Sequence, residues 1–313
     1  MGVVKDLKDA LGDVMEKFAK NALSSGVKSN FHNISDILDK TYSSSTKEDG
    51  FMSQFVTVHP ASFTGAATSD GTSIWSIIES LCNNVIVPIA GFILTIILVY
   101  DLMQMVMNGN NFKDFDSSIF MRWIIKAMCG VLLVANTYYI ASGLFAFGTN
   151  VCANGIEYLV DGELEEVDED AFDEAIDDYD VGELLIMMLL SFVILLIVFA
   201  LTIVIILILA SRMIEIFMYL GVSPIPMATM MNNEWGTIGK NWIKGVLSLS
   251  FQGFFIIIAL GIFQAIFNNV IAGITSMSDG VCMSLLMLAG YSAALIFTIL
   301  RSGQISRSIF NAS

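Results

Sequence analysis

Apolar positions along this chain fall into five long runs, at about 85–107, 119–152, 184–210, 242–267 and 281–300. Short polar segments separate most of them, and one long acidic segment separates the second from the third. The runs are on the scale of the ~20 apolar residues that carry a helix across a bilayer. The pattern predicts an all-α fold: a polytopic helical membrane protein with about five transmembrane helices. Ahead of the first run, Val4, Leu7, Leu11, Val14 and Phe18 recur every three or four residues, with Lys5, Lys8, Lys17 and Lys20 off that face. This predicts an amphipathic N-terminal helix over 1–25, lying on a membrane, on a sister subunit or within a small tail domain. It lacks the apolar core of a cleavable signal peptide.

Residues 26–72 are polar, include Ser43-Ser44-Ser45 and Pro60, and predict a loop with one short helix near Ile34–Leu38. Ser73–Asn84 predicts a second interfacial helix with Trp75 as its anchor. Pro88 falls in the first turn of the first span, where a missing N–H is harmless. Two regions result: a tail, 1–72, and a membrane domain, 73–313.

Composition agrees, with 55% hydrophobic residues, 14% charged ones and a mean hydropathy of +0.72. The net charge of −15 is concentrated: fourteen of the thirty acidic residues lie in 157–183, which holds no lysine or arginine. So many like charges predict a solvated outer loop, and no Asp-x-Asp-x-Asp-Gly frame is there to make it a calcium loop. Cys82, Cys129, Cys152 and Cys282 lack metal-ligand spacing; free thiols are expected, with a bridge among Cys82, Cys152 and Cys282, near the outer leaflet, as the alternative. His32 and His59 both lie in the tail. No metal or other cofactor is expected. Gly239-Lys240 is followed by Asn241, which breaks the phosphate-loop pattern. With no other catalytic constellation, the chain does not read as an enzyme.

Outside the tail, Lys113, Arg122, Lys126, Arg212, Lys240, Lys244, Arg301 and Arg307 all fall at or near one side of a five-span topology. The positive-inside rule makes that side cytoplasmic, which puts the N-terminus outside and the C-terminus inside. Splitting 184–231 into two spans would scatter the bias. Within the bilayer, Asp101 and Lys126 lie about 9–12 Å deep at helical rise and are expected to pair. Gly245, Ser248, Gln252 and Ala259 form a small or polar stripe expected to mark helix packing or line a passage.

The least ordinary stretch follows the third run. Arg212 and Glu215 sit one helical turn apart; Gly221, Pro224 and Pro226 then interrupt the helix. Thr229, Glu234 and Trp235 lead into a polar hairpin with Lys240, Trp242 and Lys244. Broken backbone at membrane depth needs protein or water around it. This elbow is therefore expected at the cytoplasmic face as a docking or channel-mouth element, with Arg212 and Glu215 bonded to each other or to another subunit.

Four segments carry a resemblance: Val85-Ile-Val-Pro88-Ile-Ala-Gly91 with Asp101; Asn110–Asp116 leading to Phe120-Met-Arg-Trp123-Ile-Ile-Lys126; Arg212 through Pro224-Ile-Pro226-Met-Ala-Thr229 to Glu234-Trp235-Gly236; and Phe251-Gln252-Gly253-Phe254. Ser308-Ile-Phe310-Asn311-Ala fits too. Over 73–313 the chain resembles the TrbL family, the polytopic membrane subunit of type IV secretion and conjugation machines equivalent to the sixth VirB protein, in its Gram-positive form on plasmids or integrative elements. The resemblance implies a homo-oligomeric channel or scaffold in the cell membrane. It implies a secretion ATPase, a bitopic scaffold subunit and a coupling protein as partners, with relaxase-bound single-stranded DNA in transit. The competing classes are a secondary transporter or small-solute channel, disfavoured by the lack of internal repeats, and a membrane scaffold that never touches DNA.

Overall fold

The computed structural model describes residues 14–15, 17–30, 32–33, 36, 55–56, 59–62, 73–108, 117–159, 181–275 and 281–312. Regular structure among them is helical. After a 3-10 turn, Pro60–Ser62, come α1 (Ile74–Leu81), α2 (Val87–Asn108), α3 (Ser117–Leu159), α4 (Val181–Val222), α5 (Pro224–Thr229), α6 (Gly236–Thr275) and α7 (Val281–Ile309). Five helical runs are long and apolar enough to cross a membrane: Ile74–Met107, Phe120–Ile156, Val181–Val222, Gly236–Val270 and Cys282–Ile309. The chain is an all-α polytopic helical protein, as its hydropathy pattern requires.

The helices outrun the apolar runs. α4 has 42 residues, roughly 63 Å at helical rise, about twice the hydrocarbon thickness. It does not end at Ala210, and Gly221, expected to interrupt it, is helical; the break comes at Ser223, ahead of Pro224. α6 starts at Gly236, so Lys240, Trp242 and Lys244 lie in its first turns and not in a polar hairpin. It continues to Thr275, past the expected end at 267. The expected N-terminal helix runs on past residue 25, since 17–30 are helical.

α1 and α2 form one helical run, joined by a π-helical turn, Cys82–Ile86. Ser73 caps α1 by accepting a hydrogen bond from the Ser76 N–H at 3.2 Å. The wide turn lies just ahead of Pro88, which has no N–H for the carbonyl four residues back and whose ring crowds it. At the far end, the N–H of Ala312 bonds the Arg307 carbonyl at 2.9 Å and that of Asn311 the Ser308 carbonyl at 3.2 Å. With Asn311 at φ 48°, this closes α7 with a left-handed cap.

The chain divides into two compact units. One comprises 1–53, 156–208 and 256–300. Its buried side chains include Val27, Leu184, Ile194, Leu201, Ile256, Phe263, Phe267, Leu288 and Leu295. Within it the N-terminal helix meets α4, Asn30 Nδ2 donating to Ser191 Oγ at 2.9 Å. Val14 and Phe18, from the expected apolar face, are exposed; Val4, Leu7 and Leu11 lie outside the described residues, as do the Ile34–Leu38 ends, Asn110–Asp116 and 160–180 of the acidic loop. The other unit comprises 54–155, 209–255 and 301–313 and contains the elbow. Ala90, Leu94, Leu98, Val134 and Ala228 form a buried cluster there, joining α2, α3 and α5.

Candidate functional site

The elbow begins where α4 stops. Pro224 cannot donate to the Leu220 carbonyl; instead the Ser223 N–H reaches that carbonyl at 3.3 Å and its hydroxyl at 2.7 Å. One residue of break therefore suffices, and Pro224 opens a new short helix, a position that suits it. Thr229 donates its hydroxyl to the Pro226 carbonyl at 2.7 Å. Pro224, Pro226, Met227, Ala228 and Thr229 are all buried.

The elbow lies along α2, not at one end of it. Gly221 approaches Ile78. Ser223 lies beside the Cys82 thiol, Ala228 packs among Ala90, Leu94 and Leu98, and Asn232 reaches Asp101. From Cys82 to Asp101 is roughly 28 Å of helix, close to one hydrocarbon thickness. The broken segment thus runs beside α2 and is sheltered by its own chain, as lipid would demand of broken backbone.

At the Asp101 end the side chains form a clamp. One carboxylate oxygen of Asp101 meets the ammonium of Lys126. The other accepts from Asn232 Nδ2 at 2.7 Å. Asn232 is only 4% exposed, and its carbonyl oxygen accepts the N–H groups of Glu234 at 2.7 Å and Trp235 at 3.2 Å. α2 adds Tyr100 Oη and Gln104 Nε2, which donate to the Glu234 carboxylate at 3.4 and 3.3 Å. The α2–α3 ion pair is thus wired through Asn232 to the backbone of the turn returning into α6. Trp235 itself is exposed. Gly239 completes the turn's packing: a Cβ there would lie 2.5 Å from the Pro226 carbonyl oxygen and 2.1 Å from Met230 Cγ.

Arg212 is an interior residue. It is 1% exposed, and donates through Nε to the Leu249 carbonyl at 3.1 Å, through Nη1 to Phe55 at 2.9 Å and through Nη2 to Ser250 at 3.2 Å. Gly253 leaves room for it: a Cβ at that position would sit 3.2 Å from Arg212 Cζ and 3.1 Å from both Cys152 Sγ and Val56 Cγ1. Among the described residues Glu215 is not paired with Arg212, as one reading of their spacing had it. It meets Arg307 of α7 at 3.5 Å. Arg212, with every nitrogen engaged inside its own chain, does not present itself to a partner. Arg212 also lies beside Cys152, both flanking Gly253, because α4 continues past the point where the apolar run thins. All four cysteines are free thiols.

Three of the four stripe residues touch neighbouring helices. Gly245 lies against Tyr219, whose ring stacks on Trp242 at 6.4 Å. The Ser248 carbonyl accepts from Ser306 Oγ at 2.5 Å. Gln252 Nε2 donates to Ser302 Oγ at 3.4 Å. Ala259 belongs to the other unit.

Sequence reasoning passed over Asn232, Tyr100 and Gln104. An asparagine two residues ahead of an N–H it can accept is a turn signal, and it was present in Asn232-Asn233-Glu234. It also passed over His59, whose ring packs edge-on against Trp75 at 5.2 Å; Trp75 packs edge-on against Tyr138 at the same distance.

The family described as "TrbL/VirB6 plasmid conjugal transfer like protein" matches residues 46–224, more than half of the chain. The chain belongs to this family. No curated protein and no solved structure matches it. As a TrbL/VirB6-like protein it is a multi-pass membrane component of conjugal transfer. The matched segment differs from the 73–313 suggested by the quoted motifs. It starts within the tail, so Phe55 and Val56 at Arg212 fall inside it, and it stops at Pro224, so the return turn and α6 fall outside.

Proposed function

We propose that this TrbL/VirB6-like protein is a channel or scaffold subunit through which relaxase-bound single-stranded DNA passes, with a secretion ATPase, a bitopic scaffold subunit and a coupling protein as partners. Beyond family membership, the observation that supports a transport role is the elbow: a broken segment beside α2 for roughly one hydrocarbon thickness, of the kind membrane proteins keep only where it is enclosed. Its burial within a single chain favours the scaffold form of the reading, with any DNA path formed between copies. The return turn, with Glu234, Trp235 and Lys240 exposed, is the proposed docking element in place of Arg212. Arg122, Lys126 and Lys240 gather toward that end, and the positive-inside rule makes it cytoplasmic, with the N-terminus outside. A homo-oligomer and the Gram-positive setting belong to the same proposal.

The test compares conjugation frequency with protein level in the same cells. Trp235→Ala and Lys240→Ala should lower transfer at least tenfold while membrane-inserted protein stays near normal. Transfer that is unchanged, or falls only in step with protein, rejects docking at this turn.

A further inference from the structure

We propose that His59 is a proton-operated latch that holds the 59–62 turn on α1 and α3 while its imidazole is neutral and releases it on protonation. The hydrogen bonds impose this. The Ala61 N–H donates to His59 Nδ1 at 3.1 Å, so Nδ1 carries a lone pair. In a neutral imidazole whose Nδ1 accepts, the proton is on Nε2. The ring is thus the neutral Nε2–H tautomer, and the Ser142 backbone of α3 is the neighbour that favours the charged form. The Ser62 N–H returns to the His59 carbonyl at 2.8 Å, closing the turn around the ring.

The seat is aromatic. His59 packs edge-on against Trp75, the Trp75 carbonyl accepts from Tyr138 Oη at 3.2 Å, and Tyr138 packs against Trp75 in turn. Adding a proton turns Nδ1 into a donor aimed at the donor N–H of Ala61, and loads a charge onto a partly buried ring. The titratable groups on the elements packed against it are Glu79 on α1, Cys82 in the π turn, and Tyr138 and Tyr139 on α3. Glu79 already accepts from Tyr139 Oη at 3.0 Å. Among the described residues no carboxylate pairs with His59 to hold the added charge.

The sign follows. Burial lowers the imidazole below the ordinary histidine value of 6.5, against a smaller opposing pull from the Ser142 backbone. Below pH 6.5 the released turn takes up a proton that the seated one does not. The seat is therefore fully stable above 6.5 and weakens as pH falls through that value and on through the lower, seated one. With the tail outside, as proposed above, the pH read is that of the exterior; the latch itself does not depend on that orientation.

The chain has two histidines, so His32→Gln leaves one. With histidine and tryptophan isotope-labelled in the full-length protein in nanodiscs, nuclear magnetic resonance should show the Nε2–H tautomer at pH 7.5. The midpoint should fall below 6.5, and the Trp75 indole signal should shift with the same midpoint. His59→Gln, which can both accept and donate, should abolish the Trp75 shift. An Nδ1–H tautomer, a midpoint at or above 6.5, or a Trp75 shift that persists in His59→Gln overturns the latch. None of these outcomes bears on conjugal transfer, so the latch and the proposed function fail separately.

Discussion

Two cations of the elbow unit meet the low-dielectric interior in opposite ways. Lys126 has a carboxylate partner in Asp101, and the pair stays partly exposed, with side chains 34% and 12% accessible. Among the described residues Arg212 has no carboxylate partner, and it is sealed, its guanidinium spread over three backbone carbonyls. The contrast follows from the side chains. An ammonium is a compact point charge that keeps some water, whereas a planar guanidinium is less strongly hydrated and can share its charge among several fixed acceptors. One site is therefore a clamp that a second side chain can adjust. The other is a rivet joining Phe55, α4 and α6.

Breaking the rivet should have the larger effect. Arg212→Ala removes three buried hydrogen bonds at once and leaves a large void, and should destabilise the protein by more than about 3 kcal/mol. Arg212→Lys should rescue little, because one ammonium cannot reach three carbonyls set in a fork. Thermal unfolding in detergent, read beside protein level, checks both; a lysine variant as stable as the parent would show that charge alone matters at this position.

Next come the glycines that let backbones and side chains meet. Gly239→Ala directs a Cβ at the Pro226 carbonyl oxygen, 2.5 Å away, and Gly148→Ala at the Ser250 carbonyl oxygen, 2.9 Å away. Neither acceptor belongs to a flexible side chain, so each change should cost about 1–3 kcal/mol. Gly143→Ala, with nothing within 4 Å, serves as the control and should be near neutral by the same thermal assay. Gly253→Ala is the intermediate case, since all its near neighbours are side-chain atoms, Arg212 among them.

The clamp should yield less, because Lys126 is only partly buried. Lys126→Ala and Asp101→Ala should each cost about 1–3 kcal/mol, and the double variant less than their sum. Asn232→Ala should resemble Asp101→Ala more than Lys126→Ala, since it loses the link from the carboxylate to the Glu234 and Trp235 N–H groups. Strict additivity of the Asp101 and Lys126 losses in a thermal-unfolding cycle would show that the pair is not coupled.

What the sequence disclosed, and what it hid, divides along the same line. Span count and class were legible because apolar runs of bilayer length have few other uses. Asp101 and Lys126 stood out because a charge inside such a run is conspicuous. Arg212 stood out as the charge directly after the third run, ahead of the prolines, but its partners are main-chain carbonyls of Phe55, Leu249 and Ser250, which no side-chain identity announces. Its burial depended on α4 continuing for three turns beyond Ala210, and hydropathy reports where apolar residues stop, not where the helix does. The elbow's prolines signalled a break, yet one break in a helix can be mended by a single serine, as Ser223 mends this one. Asn232 was visible as a turn former, while its second bond, to Asp101, is a tertiary fact.

The smallest effect belongs to Glu215 and Arg307, and it sharpens the comparison by its failure to join either side. Their separation is 3.5 Å, and their side chains are 33% and 59% exposed. An ion pair that open gains little over hydration and restricts two long side chains, so removing it should cost at most about 1 kcal/mol. Glu215 lies three residues from Arg212 on one helix, so the two variants would be predicted alike from sequence spacing alone. In the structure one residue is interior and the other rims the α4–α7 contact. Glu215→Ala should therefore leave protein level and unfolding temperature close to the parent, and raising the salt should shrink even the small difference. If Glu215→Ala instead unfolds as readily as Arg212→Ala, the two act as one site. The separation of rivet from rim, and with it the argument that carbonyls rather than a carboxylate hold Arg212, would then fall.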